Sequence, residues 1–279
     1  MLKLGGARLL DDRDLAELTR LLDADPVANC TVAGRVEAVG LDRRRLGGEI
    51  WGYGGGQLTG ACYAGANLIP VGAEPAALQS FAERALRAGR RCSSIVGPVQ
   101  AVTPLWSRLE RVWGPARAIR ARQPLLQISS APAVEPDPAV RRVLPHEIET
   151  LLPASIAMFT EEVGVSPIGR DGGALYRARV RDVIAAGRSF ARIENGRVIF
   201  KAELGAVSRQ ACQVQGVWVD PEFRGNGLGT AGMAAVVQAA LRDIAPVVSL
   251  YVNDFNDAAR VAYRRVGFTE VGTFMSVMF

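Results

Sequence analysis

The stretch FRGNGLGTAG, residues 223–232, constrains the fold of this chain more than any other part of its sequence. A β-rich run, ACQVQGVWVD, precedes it, and an amphipathic helix pattern follows it. The sequence therefore predicts a strand, a glycine-rich loop and a helix in succession, an arrangement suited to phosphate groups. Gly227, Gly229 and Gly232 match the pattern G-x-G-x-x-G, whereas Arg224, Gly227 and Gly229 match R-x-x-G-x-G.

The position of the glycines disfavours the first of these patterns. A dinucleotide-binding turn needs its first glycine directly after the strand, so that the backbone can approach the pyrophosphate. Here the strand is predicted to end at Val219, and five residues separate it from Gly225. About fifty residues follow Gly229, too few for the rest of a doubly wound domain, although Asp254 lies at a distance suited to a ribose contact. A Rossmann-type oxidoreductase is therefore kept only as an alternative.

Several features of the loop suit a single anion. Gly225, Gly227 and Gly229 allow successive backbone N–H groups to turn toward one point. The helix that begins there adds the positive end of its dipole. Arg224 adds a planar charged fork, and Thr230 adds a hydroxyl in the first turn.

The second half of the chain alternates between helix and strand patterns. Helices are predicted over IETLLPASIAMFTEEV and ALYRARVRDVIAAG, and strands over RSFARIE and GRVIFKAELGAV, with Asn195-Gly196 as the hairpin turn. After the loop and its helix come a strand, VVSLYVN, and a helix, NDAARVAYRRVG. The segments FTEV and TFMSVMF are predicted as separate final strands on either side of Gly272.

A cluster of prolines divides the chain. Prolines in SSAPAVEPDPAVRRVLPHE forbid a continuous helix there and cannot donate to a central strand. The predicted division is an N-terminal α+β domain over 1–128, a linker over 129–145 and a second domain over 146–279.

The first half repeats part of the order of the second. A strand, a helix, a strand and a helix are predicted in the same order as in residues 214–267. They lie over ANLIPV, EPAALQSFAERALRAG, CSSIVGP and VTPLWSRLERVWG, respectively. The loop after Val71 reads GAEPAA and lacks R-x-x-G-x-G. The first half is thus either a degenerate duplicate of the second or an unrelated α+β domain, and the sequence leaves both open.

Composition narrows the classes of function. The four cysteines show no C-x-x-C spacing and His146 is the only histidine, so we predict no metal site. The cysteines are expected to be small buried hydrophobic residues in a reducing cytosol. The net charge is +5, but the arginines are scattered without interleaved aromatic residues, which disfavours nucleic-acid binding. No signal peptide or membrane span is expected, so the predicted location is cytoplasmic.

The combined pattern of the second half is more specific than the loop alone. The pattern is V-x-V-D-P-x-x-R-G-x-G-L-G, followed by a strand and then by N-x-x-A-x-x-x-Y-x-x-x-G-F. In this pattern, residues 145–279 resemble the GNAT N-acetyltransferases. The resemblance implies a mixed, mostly antiparallel sheet flanked by helices in 146–279, with a first half that is α+β and GNAT-like in order. The whole chain also resembles an actinobacterial group that joins an uncharacterised N-terminal half to a GNAT half.

The resemblance implies a role for each matching residue. Backbone groups of Val217 and Val219 would bind the pantetheine amides of acetyl-CoA. Asn256 would contact the cofactor arm or fix its loop, and Tyr263 would protonate the departing thiolate, since thiol and phenol pKa values are about 8.5 and 10. The residues implied for the pyrophosphate are Arg224, Gly225, Asn226, Gly227, Leu228, Gly229 and Thr230.

The general base is less well defined. Related enzymes that acetylate protein α-amines often carry a glutamate in the strand after the phosphate helix, where this chain has Tyr251. Candidate bases are Glu203 and either Glu161 or Glu162, and a water relay is a further option. Gln213 and Gln215 lie on one strand face and either line the acceptor site or pair with a neighbouring strand.

The sequence therefore predicts an acetyl-CoA-dependent N-acetyltransferase that transfers the acyl group directly to a small-molecule or peptide amine. One alternative is a reaction like that of mycothiol synthase, on an aminosugar conjugate. Another is an acetyl-CoA-binding regulatory protein without catalysis. No nucleic-acid, membrane or metal partner is predicted.

Overall fold

The structure is a computed structural model that describes residues 6–55, 57–72, 74–169 and 171–279. The chain forms two compact units. Unit 1 comprises the described residues up to Leu126, with Tyr251–Phe255 and Glu270–Phe279. Unit 2 comprises Gln127–Leu250 and Asn256–Thr269.

Helices and strands are numbered in chain order. The helices are α1 (Leu15–Asp23), α2 (Cys30–Val39), α3 (Arg43–Leu46), α4 (Pro75–Ala88), α5 (Val99–Trp113), α6 (Ile148–Val163), α7 (Ala174–Ala185), α8 (Leu228–Asp243) and α9 (Asp257–Val266). The strands are β1 (Arg8–Leu9), β2 (Gly48–Tyr53), β3 (Gly60–Gly65), β4 (Asn67–Val71), β5 (Ser94–Pro98), β6 (Ala118–Ile128), β7 (Arg141–Arg142), β8 (Ser189–Glu194), β9 (Arg197–Val207), β10 (Cys212–Val219), β11 (Val248–Tyr251) and β12 (Thr269–Met278).

Unit 1 is a sheet in the order β1-β2-β3-β4-β5-β12-β6. Strands β2, β3 and β4 are antiparallel, and β4 and β5 are parallel neighbours connected through α4. One apolar cluster includes Phe81 and Leu105, from α4 and α5, and the other includes Leu18 and Val36, from α1 and α2. The predicted strand–helix–strand–helix order of the first half is confirmed.

The end of the chain differs from the prediction. Gly272 does not separate two strands, because β12 runs without interruption from Thr269 to Met278. The predicted break was wrong because this glycine lies inside a paired strand, whose register with β5 is fixed by pairs such as Phe274 with Pro98. From Glu270 onward β12 belongs to unit 1, although it follows the whole of unit 2 in sequence.

Unit 2 repeats the order seen in unit 1. Strands β7, β8, β9 and β10 are antiparallel neighbours, and β10 pairs in parallel with β11 after the crossover through α8. The predicted hairpin turn is confirmed, with φ of 49° at Asn195 and 74° at Gly196, the left-handed pair that a two-residue turn needs. The apolar residues of α6 and α7 pack on one face of this sheet.

The proline-rich segment contains no helix or strand between residues 129 and 140. It is nonetheless fixed to unit 2, because the amide of Ala133 donates to the carbonyl of Val266 and that of Asp137 donates to Ala231. The predicted domain limits stay a prediction.

Candidate active site

The glycine-rich loop lies between β10 and α8. A 3₁₀ turn at Pro221–Phe223 follows the strand, and Gly225 and Gly227 adopt φ of +82° and +78°. Within the described residues, the backbone amides of residues 225–229 have no protein acceptor. A Cβ built on Gly225 or Gly227 would meet no atom within 4 Å, so the space in front of these amides is open. The loop is a set of unpaired donors at a helix N-terminus, which suits a phosphate.

The start of the loop is fixed by an ion-pair cluster. Arg197 donates from Nε and Nη2 to the two carboxylate oxygens of Asp220, at 2.6 and 2.8 Å, and from Nη1 to Glu222 at 2.7 Å. Asp220 also accepts the amide of Glu222, which holds the 3₁₀ turn closed. The hydrogen bonds from Arg197 hold the pKa of the buried Asp220 carboxyl below its ordinary value.

Arg224 stands beside the open amides. Its Nε donates to the carbonyl of Val219 at 3.0 Å, and its Nη2 donates to Glu161 at 2.8 Å. The hydrogen bond from Arg224 lowers the pKa of Glu161. Since both side chains are about half exposed, this pair is weak and sensitive to salt.

The remaining loop residues shape the backbone. Asn226 donates through Nδ2 to the carbonyls of Phe223 and Arg224, at 3.3 and 3.4 Å. Leu228 begins α8, and the amide of Thr230 donates back to Gly227. The ideal Cβ position of Gly229 lies 3.5 Å from Cγ2 of Val219, so the helix and the strand are in van der Waals contact.

Strand β10 separates from β11 near the loop. Their parallel pairing consists of Cys212 with Val248 and Gln213 with Ser249. On the other side, the register with β9 shifts between Gln215 and Trp218, and Gly216 has φ of +61°. A β-bulge therefore lies where β10 has parted from β11, and it includes the predicted pantetheine contact Val217. Val219 follows the bulge and pairs with β9.

Tyr263 lies in α9, and Asn256 directly precedes this helix. Asn256 is the N-cap residue, and its side chain accepts the amide of Ala259 at 3.1 Å, so it fixes the start of the helix. Tyr263 is buried, with its ring edge-on to Phe268 at a centroid distance of 5.9 Å. Burial and, second, the negative charge of Glu162 raise the pKa of Tyr263, so its phenol carries a proton at neutral pH.

The candidate carboxylates have different environments. Glu162 is exposed, and its charge acts on Tyr263. Glu203 is only 3% exposed and accepts hydrogen bonds from Arg179 at 2.6 Å and from Gln215 at 3.0 Å. Burial opposes its charge, but Lys201 and Arg179 outweigh burial and lower the pKa of Glu203. The roles of the site residues stay predictions.

The structure also brings together charged residues that the sequence interpretation missed. Lys201 is fully buried beside Glu203, and Arg179 reaches the same carboxylate from α7. Gln215 pairs with Glu203, in agreement with the cross-strand alternative, and Gln213 is buried. The signal was present in VIFKAEL, where a lysine and a glutamate two residues apart on one strand face interrupt an apolar run.

Other expectations concern absent features. The four cysteines are buried, as predicted, and none of them forms a disulfide. Among the described residues, no group of three or more His, Cys, Asp or Glu side chains could hold a metal ion. His146 is exposed in a short 3₁₀ turn. No helix in the described ranges is both long and apolar enough to span a membrane. The first five residues, which the signal-peptide prediction included, lie outside the described part.

These features define the acyltransferase class of site, and comparison with known proteins agrees. Residues 158–268 match the model of the acetyltransferase (GNAT) family. Residues 48–151 match a domain of unknown function, DUF4081. The chain therefore contains a GNAT acyltransferase domain in its C-terminal half, as predicted.

Known relatives cover different parts of the chain. An uncharacterized N-acetyltransferase of Methanocaldococcus jannaschii is 36% identical over 62 residues, which are 22% of this chain and 27% of that protein. A GCN5-related N-acetyltransferase from Sphaerobacter thermophilus is 16% identical, with 97% of this chain and 93% of that chain covered and a TM-score of 0.60. A tandem GNAT protein from the clavulanic acid biosynthesis pathway is 15% identical, with 98% of each chain covered and a TM-score of 0.55. The latter two likenesses concern the fold, and they confirm the GNAT-like order of both halves.

Proposed function

We propose that the protein is an acetyl-CoA-dependent N-acetyltransferase that transfers the acetyl group directly to an amine. The observation that carries this proposal is the row of unpaired backbone amides at residues 225–229, next to a strand that has separated from its neighbour. The amides and Arg224 are suited to a pyrophosphate, and the separated strand offers backbone groups to a pantetheine arm. This donor set fits coenzyme A.

The chemistry needs one proton acceptor and one proton donor. The amine nitrogen attacks the thioester carbon and loses a proton, for which Glu162 is the proposed acceptor, directly or through water. The carbon–sulfur bond breaks, and Tyr263 gives its proton to the departing thiolate. The buried, protonated phenol of Tyr263 suits that donor role. The acceptor is a small-molecule or peptide amine, and an aminosugar conjugate is one candidate. The proposed location is the cytoplasm, consistent with four buried cysteines that form no disulfide.

Two measurements on the full chain test the proposal. Acetyl-CoA at a hundredfold excess over its dissociation constant should add about 2.7 kcal/mol of stability in a melting assay, whereas NADH should add none. Thiol release should then accelerate with at least one member of a panel of peptide, aminosugar and polyamine acceptors. Stabilisation by NADH alone would indicate an oxidoreductase. Binding of acetyl-CoA with no turnover on any amine would favour a regulatory protein.

A further inference from the structure

A buried lysine lies directly behind the bulge of β10. Lys201 has 0% relative exposure, and its Nζ donates to the carbonyl oxygen of Gly216 at 3.0 Å. Lysine is almost never fully buried unless it is paired. Its charged partner, Glu203, is 3.9 Å away and is itself bound by Arg179. The hydrogen bond to the Gly216 carbonyl is thus the shorter of the two contacts that hold the ammonium.

The hydrogen bond from Lys201 fixes the orientation of the peptide between Gly216 and Val217. The pairs Gln215 with Glu203 and Trp218 with Lys201 leave two residues of β10, Gly216 and Val217, opposite a single residue of β9. No peptide bond in the described residues is cis. In a trans peptide the C=O and the following N–H point in opposite directions. Because the carbonyl of Gly216 points to Lys201, the N–H of Val217 points away from it, to the other side of the strand.

The bulge conformation also requires a glycine. Gly216 has φ of +61°, a conformation that costs other residues free energy. A Cβ there would lie 3.0 Å from Cε of Met158 and 3.2 Å from Nζ of Lys201. The lysine and methionine therefore pack closely under the bulge, and only the lysine supplies a hydrogen bond.

We propose that Lys201 is a positioning residue for acyl transfer, which orients and polarises the Gly216–Val217 peptide so that the N–H of Val217 hydrogen-bonds the thioester carbonyl oxygen. This inference rests on the proposed function. Negative charge builds up on that oxygen when the amine attacks, and a fixed donor stabilises it more in the transition state than in the ground state. A cation hydrogen-bonded to the carbonyl of a peptide strengthens its N–H as a donor. Burial lowers the pKa of Lys201, and the carboxylate of Glu203, 3.9 Å away, opposes that shift and favours the ammonium form.

The test compares Lys201→Met with Met158→Leu. Methionine keeps the apolar stem of lysine but removes the donor and charge, whereas the control alters packing at the same bulge and removes no hydrogen bond. We expect Lys201→Met to lower kcat about 10-fold, less than the roughly 10²-fold that loss of an oxyanion donor itself causes, because the N–H of Val217 is kept. The dissociation constant for acetyl-CoA should change less than about threefold. Met158→Leu should keep kcat within about threefold of the wild type.

Infrared spectra supply a second readout that packing alone would not move. The carbonyl stretch of bound acetyl-CoA, labelled with carbon-13 at the carbonyl, should lie at lower frequency in the wild type than in Lys201→Met. If the Met variant does not fold, Lys201→Leu, which also removes the donor and the charge, is measured against the same criteria. An unchanged kcat, an unshifted carbonyl band or an equal loss in Met158→Leu would overturn the role of Lys201. Absence of any turnover by the wild type would instead overturn the proposed function.

Discussion

The two units share a strand order but differ at the loop that follows the last strand of the antiparallel set. In unit 2 the loop after β10 carries left-handed glycines whose surroundings are open. In unit 1 the loop after β4 contains Gly72, at φ +53°, whose added Cβ would lie 2.9 Å from the side chain of Leu21. Glu74 and Pro75 follow at the start of α4, whereas Ala73 lies outside the described residues. Proline removes one amide donor, and the carboxylate repels an anion. The same topology thus forms a loop with open backbone amides in one unit and a packed turn in the other.

The central strands of the two units also differ, in the charge of their buried side chains and in the presence of a bulge. In β3 the buried side chains are uncharged, and the hydroxyl of Tyr63 donates to the carbonyls of Leu46 and Gly47. In β9, Lys201 and Glu203 are buried under a bulge. The register between β3 and β4 is regular over Ala61–Ala64, with no bulge. Buried charges destabilise a fold unless they are paired, and they occur more often at functional sites than elsewhere. Of these two central strands, only β9 carries them among the described residues.

The loop comparison predicts the largest effect for Gly227→Val. The side chain would project in front of the open amides, and loss of several charge-assisted hydrogen bonds of about 1.5–3 kcal/mol each should raise the dissociation constant for acetyl-CoA at least 10²-fold. The matched control is Gly196→Val, which has a similar φ of +74° and equally open surroundings, but lies in the β8–β9 turn. Isothermal titration calorimetry of both variants checks this. An equal loss of acetyl-CoA affinity in both variants would show that backbone strain causes the effect and that the loop is not part of the binding site.

The next comparison concerns two tyrosines of unit 2, of which Tyr263 is buried and Tyr176 is half-buried. Tyr263→Phe should lower kcat about 10²–10⁴-fold with little change in acetyl-CoA affinity, because only the proton donor is lost. Tyr176 is the control, since its hydroxyl donates to the carbonyl of Ser155 at 2.9 Å and burial raises its pKa to about 12. Tyr176→Phe should cost about 1 kcal/mol of stability and leave kcat within a few-fold. Steady-state kinetics with a saturating acceptor measure both. Full activity of Tyr263→Phe would assign Tyr263 to packing.

The number of acetyl-CoA molecules bound to each chain tests whether both units bind the cofactor. Since Pro75 and Glu74 replace the free amides in unit 1, we expect one acetyl-CoA site for each full-length chain. Calorimetric titration of the wild type should therefore give a value near one. The same titration of Gly227→Val should show no residual site. A value near two, or a surviving site in that variant, would place a second site in unit 1.

How much of this could be predicted depends on how far apart the interacting residues are in sequence. Helix α6 and the turn at Asn195 follow from local periodicity and turn chemistry, and the structure has both where predicted. The cluster at Arg197 and Asp220 joins residues 23 positions apart, so neither residue alone indicates it. The bulge depends on the register of β10 with β9. Its one sequence signal, Gly216 inside a strand pattern, indicates a bulge only when a partner strand is known.

The smallest expected effect concerns Glu161, which holds the arginine of the loop. Removing this carboxylate should free Arg224 for the pyrophosphate and relieve repulsion of it, so Glu161→Gln should lower the dissociation constant for acetyl-CoA about two- to fivefold. The gain should shrink at high salt, because the pair is about half exposed. Glu149 is the matched control, since it lies on the same helix and pairs with Arg177. Titrations of Glu161→Gln and Glu149→Gln at two salt concentrations separate the effects. Weaker binding in Glu161→Gln alone would show that Glu161 orients Arg224 for the ligand and does not compete with it.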